Sequence, residues 1–422
     1  MMRLRASQLL IVEGVEEDAD TRRRAERMRP LIDADGVRHV GDEQLNAVVE
    51  ELDLNRPTRH GMDMDDDAVI IFNRFRFDDS PQQRAAREER YPALFAAPIR
   101  KLGGYGGFDW KVSGTPEWRR RTGCVTQPMY QLHTIVGCPF RCAYCSLGHC
   151  YNIMMNMEQY VERLDGWIGR QAGDQTLFQY DNYTDTVCFE PEYGGAELLV
   201  AHFANADGRW LELYVGKSDN VEFLLPLEHK GGTIACWSMS GRTQSMAIER
   251  GAADVEARIQ AARRMQQAGY HVRFRLSPII PVENWEAENR ELIERIFELT
   301  EPEVITFETL RYLDYDDIVQ LLDVSLLDGE WLEVMRSVRG QTPSQGGEIP
   351  DEYRRRVYRF IMDELERVSP HTPYAFCREA RSSWEFFAAD FARHGQHPDN
   401  YVCNCGRIST PDNPIFAQAH AR

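Results

Sequence analysis

Between Tyr130 and Thr309 the chain alternates stretches suited to buried strands with stretches suited to helices, and few folds satisfy that order. YQLHTIVG (130–137) reads as a strand, followed by a helix around 154–168 and a strand near 176–182. A helix near 193–206, the strand WLELYVG (210–216), a short helix within NVEFLLPLEHKG and the strand TIACWS (233–238) continue the series. The helix at 253–268 has Val255, Ile259, Ala262 and Met265 at helical spacing, with Gly269 where a C-terminal cap belongs. HVRFRLS (271–277), a helix at 285–299 and VITFET (304–309) complete it. Such alternation implies an α/β fold with a parallel sheet and right-handed crossovers. About six strand–helix units predict a partial parallel β/α barrel, not the full eightfold one.

HVRFRLS adds a detail about the interior. Strict alternation puts Val272, Phe274 and Leu276 on one face and His271, Arg273, Arg275 and Ser277 on the other. In a barrel the apolar face packs on helices and the polar face points inward, where arginines need anionic or polar company. VITFET repeats the pattern, with Ile305 and Phe307 opposite Thr306 and Glu308. The bland alternative is an antiparallel sheet with one face in water.

The flanks read differently. Residues 1–125 form an arginine- and acid-rich extension or cap, with a short strand at Ala68–Phe72, a helix in SPQQRAAREERYPALF and a loop in KLGGYGGFDW. The barrel is expected over 126–330. Beyond it, 331–422 should hold helices at 350–368 and 381–393, then a tail with Cys403-x-Cys405.

Charge narrows the partners. Forty-nine basic against 67 acidic residues leave a net charge of −18, a poor default for binding nucleic acid, which rests on cationic neutralisation of phosphate. The arginine runs at 119–121 and 354–356, with Arg359 nearby, read as solvated surface charge. The apolar run Leu9–Val12 is too short for a signal peptide, and no stretch is long enough to cross a bilayer. A cytoplasmic protein without membrane attachment is expected. In that compartment the 10 cysteines should be reduced, and their clustering points to metal or redox chemistry.

The densest cluster is GCPFRCAYC, which spaces Cys138-x3-Cys142-x2-Cys145 directly after a strand. Four irons of a cubane normally want four thiolates, so three in one tight loop leave one iron open. An open iron can chelate the amino and carboxylate groups of S-adenosylmethionine, and a reduced cluster can then cleave its sulfonium to a 5′-deoxyadenosyl radical. The competing reading is a zinc-stabilised module without catalysis, with Cys150 or His149 as fourth ligand. Isolated Cys188 and Cys236 read as small buried hydrophobes.

These residues resemble the radical S-adenosylmethionine superfamily, and a longer stretch, about 130–385, resembles its spore photoproduct lyase-like family. The resemblance is carried by GCPFRCAYC, YTDT (183–186), GKSDNVEFLLPLEHKG (216–231) and CWSMS (236–240). It continues through ERGAADVEARIQAARRMQQAGYHVRFRLSPIIPVENWEAENRELIERI (249–296), TFETLRY and PYAFCREARSSW. It implies an enzyme with one [4Fe-4S] cluster on Cys138, Cys142 and Cys145. S-adenosylmethionine would lie across the strand ends, with Tyr144 on its adenine. Thr184, Lys217 and Ser238 would line its pocket, with the inward-facing Arg275 among the cofactor-binding residues. An external flavodoxin- or ferredoxin-like electron donor is implied too.

Two departures bear on the reaction. Asn182 stands where the lyase has its hydrogen-donating cysteine, and Ser146 stands where it has a relay tyrosine just after the third cluster cysteine. Neither side chain gives up a hydrogen atom easily. Together with the acidic charge, this makes lyase repair of a thymine photoproduct in DNA the second reading, behind radical chemistry on an unidentified substrate. Cys403 and Cys405 lie outside the resemblance and are left as replacement hydrogen donors, ligands of a second cluster with Cys377, or inert residues.

Overall fold

The computed structural model describes residues 3–56, 68–148, 150–341 and 349–416; His149, a candidate zinc ligand above, lies outside them. The chain builds a mixed α/β fold around two sheets. The larger has eight strands, ordered Tyr374–Phe376, Ile305–Thr309, His271–Ile279, Thr233–Met239, Trp210–Gly216, Leu177–Tyr180, Met129–Leu132 and Phe108–Lys111. Every pairing in it is parallel except the last, between Met129–Leu132 and Phe108–Lys111.

Register fixes what faces inward. Gln179 pairs with Gln131 and Glu212, Tyr214 with Cys236, Cys236 with Arg273, Ser238 with Arg275 and Arg275 with Thr306. These residues therefore share one face of the sheet, a polar one. Val272, Phe274 and Leu276 occupy the other face, buried, where the helix Val255–Gln267 packs. The arginines have the company that burial demands. Arg273 pairs with Glu303 at 2.7 Å, and Arg275 meets Glu308 at 3.4 Å and the Cys377 sulfur at 3.7 Å.

The first 75 residues hold more structure than the sequence reading gave them. Leu4–Val12 is the hub of a second sheet, parallel to Ile32–Ala34, Val37–Val40 and Ala68–Asn73. Its run Leu9–Val12 is buried on both faces, so it lacks the alternation that marks a half-exposed strand. Cys150–Met154 extends this sheet in parallel, and Ile135–Val136 closes it antiparallel.

Local differences have identifiable causes. The strand expected over 130–137 is split, because His133 and Thr134 turn aside to bind the Asp181 carboxylate. The chain thereby leaves one sheet and enters the other. NVEFLLPLEHKG makes a series of turns instead of a helix; Pro226 lacks the N–H a helix needs and disfavours helical backbone before it. KLGGYGGFDW ends in the edge strand Phe108–Lys111, and the 381–393 helix breaks at Phe387. Arg354 is buried, against the surface reading, donating to the Ile349 carbonyl at 2.7 Å. Among the described residues no helix is long and apolar enough to cross a membrane.

A cysteine-lined cavity at the strand ends

The loop with Cys138, Cys142 and Cys145 runs between Ile135–Val136 and Cys150–Met154 of the smaller sheet. Gly137 makes its entry possible. With φ +103°, a Cβ there would stand 2.5 Å from the Cys150 carbonyl oxygen. Further on, Cys145 N–H donates to the Cys142 carbonyl and Ala143 N–H to the Ile248 carbonyl, each at 2.9 Å. Arg141–Cys142 pairs antiparallel with Glu249–Arg250. The loop is thus clamped from both sides and held over the carboxyl ends of the large sheet's strands, where open α/β sheets place ligands.

Beneath it lies a cavity of about 220 Å³. Its lining includes Cys138, Cys142, Tyr144 and Cys145 from the loop, Asn182, Thr184 and Asp185 after Leu177–Tyr180, and Tyr214 and Lys217 at the end of Trp210–Gly216. Six residues expected from the sequence therefore meet: three thiols, Tyr144, Thr184 and Lys217. Ser238 and Arg275 stand one layer back. Ser238 Oγ is 2.7 Å from the Tyr214 hydroxyl, and the Arg275 guanidinium lies 5.2 Å from the Tyr214 ring centroid. Cys403 and Cys405 are not part of the lining. They are buried beside Cys377, and Cys405 also neighbours Cys236.

The reading from sequence passed over two residues that organise this space. Glu249 is fully buried and accepts from the Tyr144 hydroxyl at 2.8 Å, Gln244 Nε2 at 2.9 Å and Ser240 Oγ at 3.0 Å, and pairs with Arg258 at 2.7 Å. Burial opposes its charge, but Lys217 and Arg258 outweigh it and hold its carboxyl below the usual range. Burial likewise works against Lys217, yet Glu249 and Cys142 keep its ammonium above its ordinary pKa. Asp185 accepts from the Lys217 backbone N–H at 2.7 Å, and burial pushes it up to about 7. Gly216 is needed there: a Cβ on it would lie 2.5 Å from Asp185 Oδ2. Burial raises the Cys142 thiol, with Lys217 pulling it down. Asp185 lies within YTDT and Glu249 opens the segment 249–296, so both motifs were visible; that Glu249 is buried against Tyr144 only the fold shows.

Residues 126–315 match the family model described as spore photoproduct lyase. Two curated relatives carry that name. One, from Bacillus subtilis, is 27% identical over 192 residues, 43% of this chain and 56% of the relative. The other, from Clostridium acetobutylicum, is 23% identical over 195 residues, 45% and 58%. The chain thus spans somewhat over half the length of these relatives. Among solved structures, a doubly substituted spore photoproduct lyase with bound AdoMet and dinucleoside spore photoproduct aligns at TM-score 0.60, with 16% identity, over 89% of this chain and 98% of its own. A spore photoproduct lyase complexed with dinucleoside spore photoproduct aligns at 0.57, also 16% identical. At those identities the likeness is one of fold.

Proposed function

We propose that this chain, spore photoproduct lyase-like over residues 126–315, is a radical S-adenosylmethionine enzyme abstracting hydrogen from an unidentified substrate. Its large sheet would form the partial barrel of that superfamily, expected over 126–330 but drawing its two outer strands, Phe108–Lys111 and Tyr374–Phe376, from the flanking N-terminal cap and C-terminal region. The observation that carries the reading is the convergence of three thiols with Tyr144, Thr184 and Lys217 on one cavity.

The donor set fits a [4Fe-4S] cluster. Thiolate sulfur is the ligand such clusters take, and Cys138, Cys142 and Cys145 are near enough to influence one another's charge. Among the described residues no three His, Cys, Asp or Glu side chains converge as a single ion would require. A cubane asks for less convergence, because each thiolate meets a separate iron. When bound, the cluster and S-adenosylmethionine supply a 5′-deoxyadenosyl radical.

The chain's own residues then have definable work. Lys217, a half-buried cation near Cys142, offsets the negative charge of gathered thiolates. Glu249 fixes the Tyr144 ring through its hydroxyl, leaving the ring face to meet an adenine. Thr184 and Asp185 offer oxygens to ammonium and hydroxyl groups of the ligand. Ser238 and Arg275 act through Tyr214, the first by hydrogen bond and the second over its ring. Cys403 and Cys405, expected as replacement hydrogen donors, lie outside the cavity lining on the segment laced to the amino ends of the sheet, so hydrogen passed from them to a product radical would have to travel along the sheet's polar inner face. An external low-potential carrier in the cytoplasm would supply the electron.

Asn182 lines the cavity and Ser146 is exposed, so neither position of the lyase relay holds a thiol or phenol. The relatives' name favours the second reading, repair of a thymine photoproduct in DNA. Anaerobic reconstitution tests the radical chemistry both readings share, and photodamaged DNA separates the two. We expect about four irons per chain and reductive formation of 5′-deoxyadenosine. Cys142→Ala should abolish both, and cleavage retained in that variant would reject the proposal. Salt-sensitive binding of photodamaged duplex DNA with photoproduct reversal would instead establish the lyase reading.

A further inference from the structure

The short ribbon that clamps the cysteine loop carries a charge arrangement that works against its own pairing. Within it Cys142 stands opposite Glu249, and Arg141 stands opposite Arg250. Opposed residues share a face and successive residues alternate. Cys142 and Glu249 are buried and form the inner face. Arg141 is half-buried and Arg250 exposed, so the outer face carries two guanidinium groups set against each other. Like charges directly opposite are destabilising. Here they occur in a chain of net charge −18.

The neighbouring surface extends the feature. Met246, on the helical turn Gln244–Ile248 that leads into the ribbon, is 61% exposed. The exposed Arg242 shares a surface groove with it, and Arg250 Nε donates to the Ala247 carbonyl at 3.3 Å, which holds that arginine against the same turn. Two acids of the groove are engaged within the chain. Glu256 pairs with Arg295 at 2.7 Å, and Glu288 accepts from the Thr243 N–H at 2.9 Å. Methionine and arginine are the residues that recognition surfaces favour, and positive potential selects an acidic partner.

Position says what kind of partner. The cofactor cavity opens on the inner side of the loop, so a molecule on the outer face does not bring its own atoms to the reacting ones. An electron needs only nearness, and Arg141 is the residue next to Cys142. Electron-transfer contacts are small and weak, so a few charges around one apolar side chain suffice.

We infer that the outer face of this ribbon, with Arg141, Arg250, Arg242 and Met246, is the docking surface for an acidic one-electron carrier protein. This rests on the cluster proposed above. One electron passes from the reduced carrier to the oxidised cluster, and no atom moves with it.

The test titrates the reconstituted enzyme with a purified flavodoxin and a purified ferredoxin, both strongly acidic, by calorimetry. The wild type should bind at least one of them, about tenfold more weakly when ionic strength rises from about 0.05 to about 0.3 M. Arg141→Gln with Arg250→Gln should weaken low-salt binding about tenfold and slow reduction by the carrier to match, with iron content and reduction by dithionite unchanged. Arg141→Lys with Arg250→Lys keeps the charge and should keep most of the affinity. Arg120→Gln with Arg121→Gln, exposed on the helix Pro116–Thr122, removes as much charge outside the ribbon and should alter affinity less than about twofold.

Unchanged affinity in the ribbon's glutamine variant, or a wild type that binds neither carrier, overturns the inference and leaves the cluster standing. An equal loss in the Arg120 and Arg121 variant also overturns it, since bulk charge would then be the cause. So does an equal loss of reduction by dithionite, which would make the ribbon a matter of assembly. Weakened binding of duplex DNA with carrier binding intact would assign the face to nucleic acid instead. A wild type that holds no iron rejects the cluster proposal itself.

Discussion

The two ends of the large sheet are built on opposite terms. At the carboxyl ends, charge is buried at a cost: Asp185 is pushed up to about 7, and Lys217 and Glu249 hold each other charged inside the protein. At the amino ends the segment 401–410 is laced to the sheet. Asn404 N–H donates to Thr306 Oγ1 at 3.1 Å, and the Arg407 carbonyl accepts from Thr176 and Leu177 N–H at 3.0 Å each. Arg273, itself held by Glu303, donates to the Asn404 carbonyl at 3.1 Å. One end gives up stability to hold reactive groups; the other supplies it, the division seen between the two faces of β/α barrels.

Breaking the amino end should cost most. Burial would raise Glu303, but Arg273 and His271 pull it down from 4.5 to about 2. A depressed carboxylate stabilises the fold above its unfolded pKa, and the gain is lost as pH falls from 4.5 toward 2. Glu303→Gln should therefore lower the unfolding free energy by about 3 kcal/mol at pH 7 and by little at pH 2, read from urea titrations at both. Iron content should not change.

The carboxyl end should respond with the other sign. The pKa of Asp185 is raised from 3.8 to about 7, so its charged form works against folding as pH rises through that window and fully above it. Asp185→Asn should gain about 1–2 kcal/mol at pH 8, after allowing for weaker acceptance of the Lys217 N–H, and nothing at pH 4. S-adenosylmethionine affinity, measured by equilibrium dialysis, should fall. A variant less stable at pH 8 would erase the contrast between the two ends.

The smallest effect sharpens the comparison. Among the described residues the buried Asn404 side chain has no hydrogen-bond partner for either its oxygen or its nitrogen, so the amino end depends on Asn404's backbone and not its amide. Asn404→Ala should change stability by less than about 1 kcal/mol, in the stabilising direction. A larger loss would show that the amide anchors the tail.

Much of the site was legible because its signals are local. Three thiols within eight residues need no fold to be read as ligands, and period-two alternation put Arg273, Arg275 and Ser277 on the inner face. What stayed hidden depended on distant partners. Leu9–Val12 gave no alternation because both its faces are covered. Arg354 looked exposed until the Ile349 carbonyl and Asp351 received it. Ser238 and Arg275 are inward as expected, but Tyr214 stands between them and the cavity.

The sequence by itself determined the alternating elements, the parallel sheet and the identity of the cysteine loop. Periodicity and ligand spacing are properties of neighbours along the chain. Only the tertiary structure decided that Glu249 is buried beneath Tyr144 and that the tail seals the far end of the sheet. Each joins residues far apart along the chain or turns on which way a side chain points, and burial, which sets their charge and their partners, exists only once the chain has closed around them.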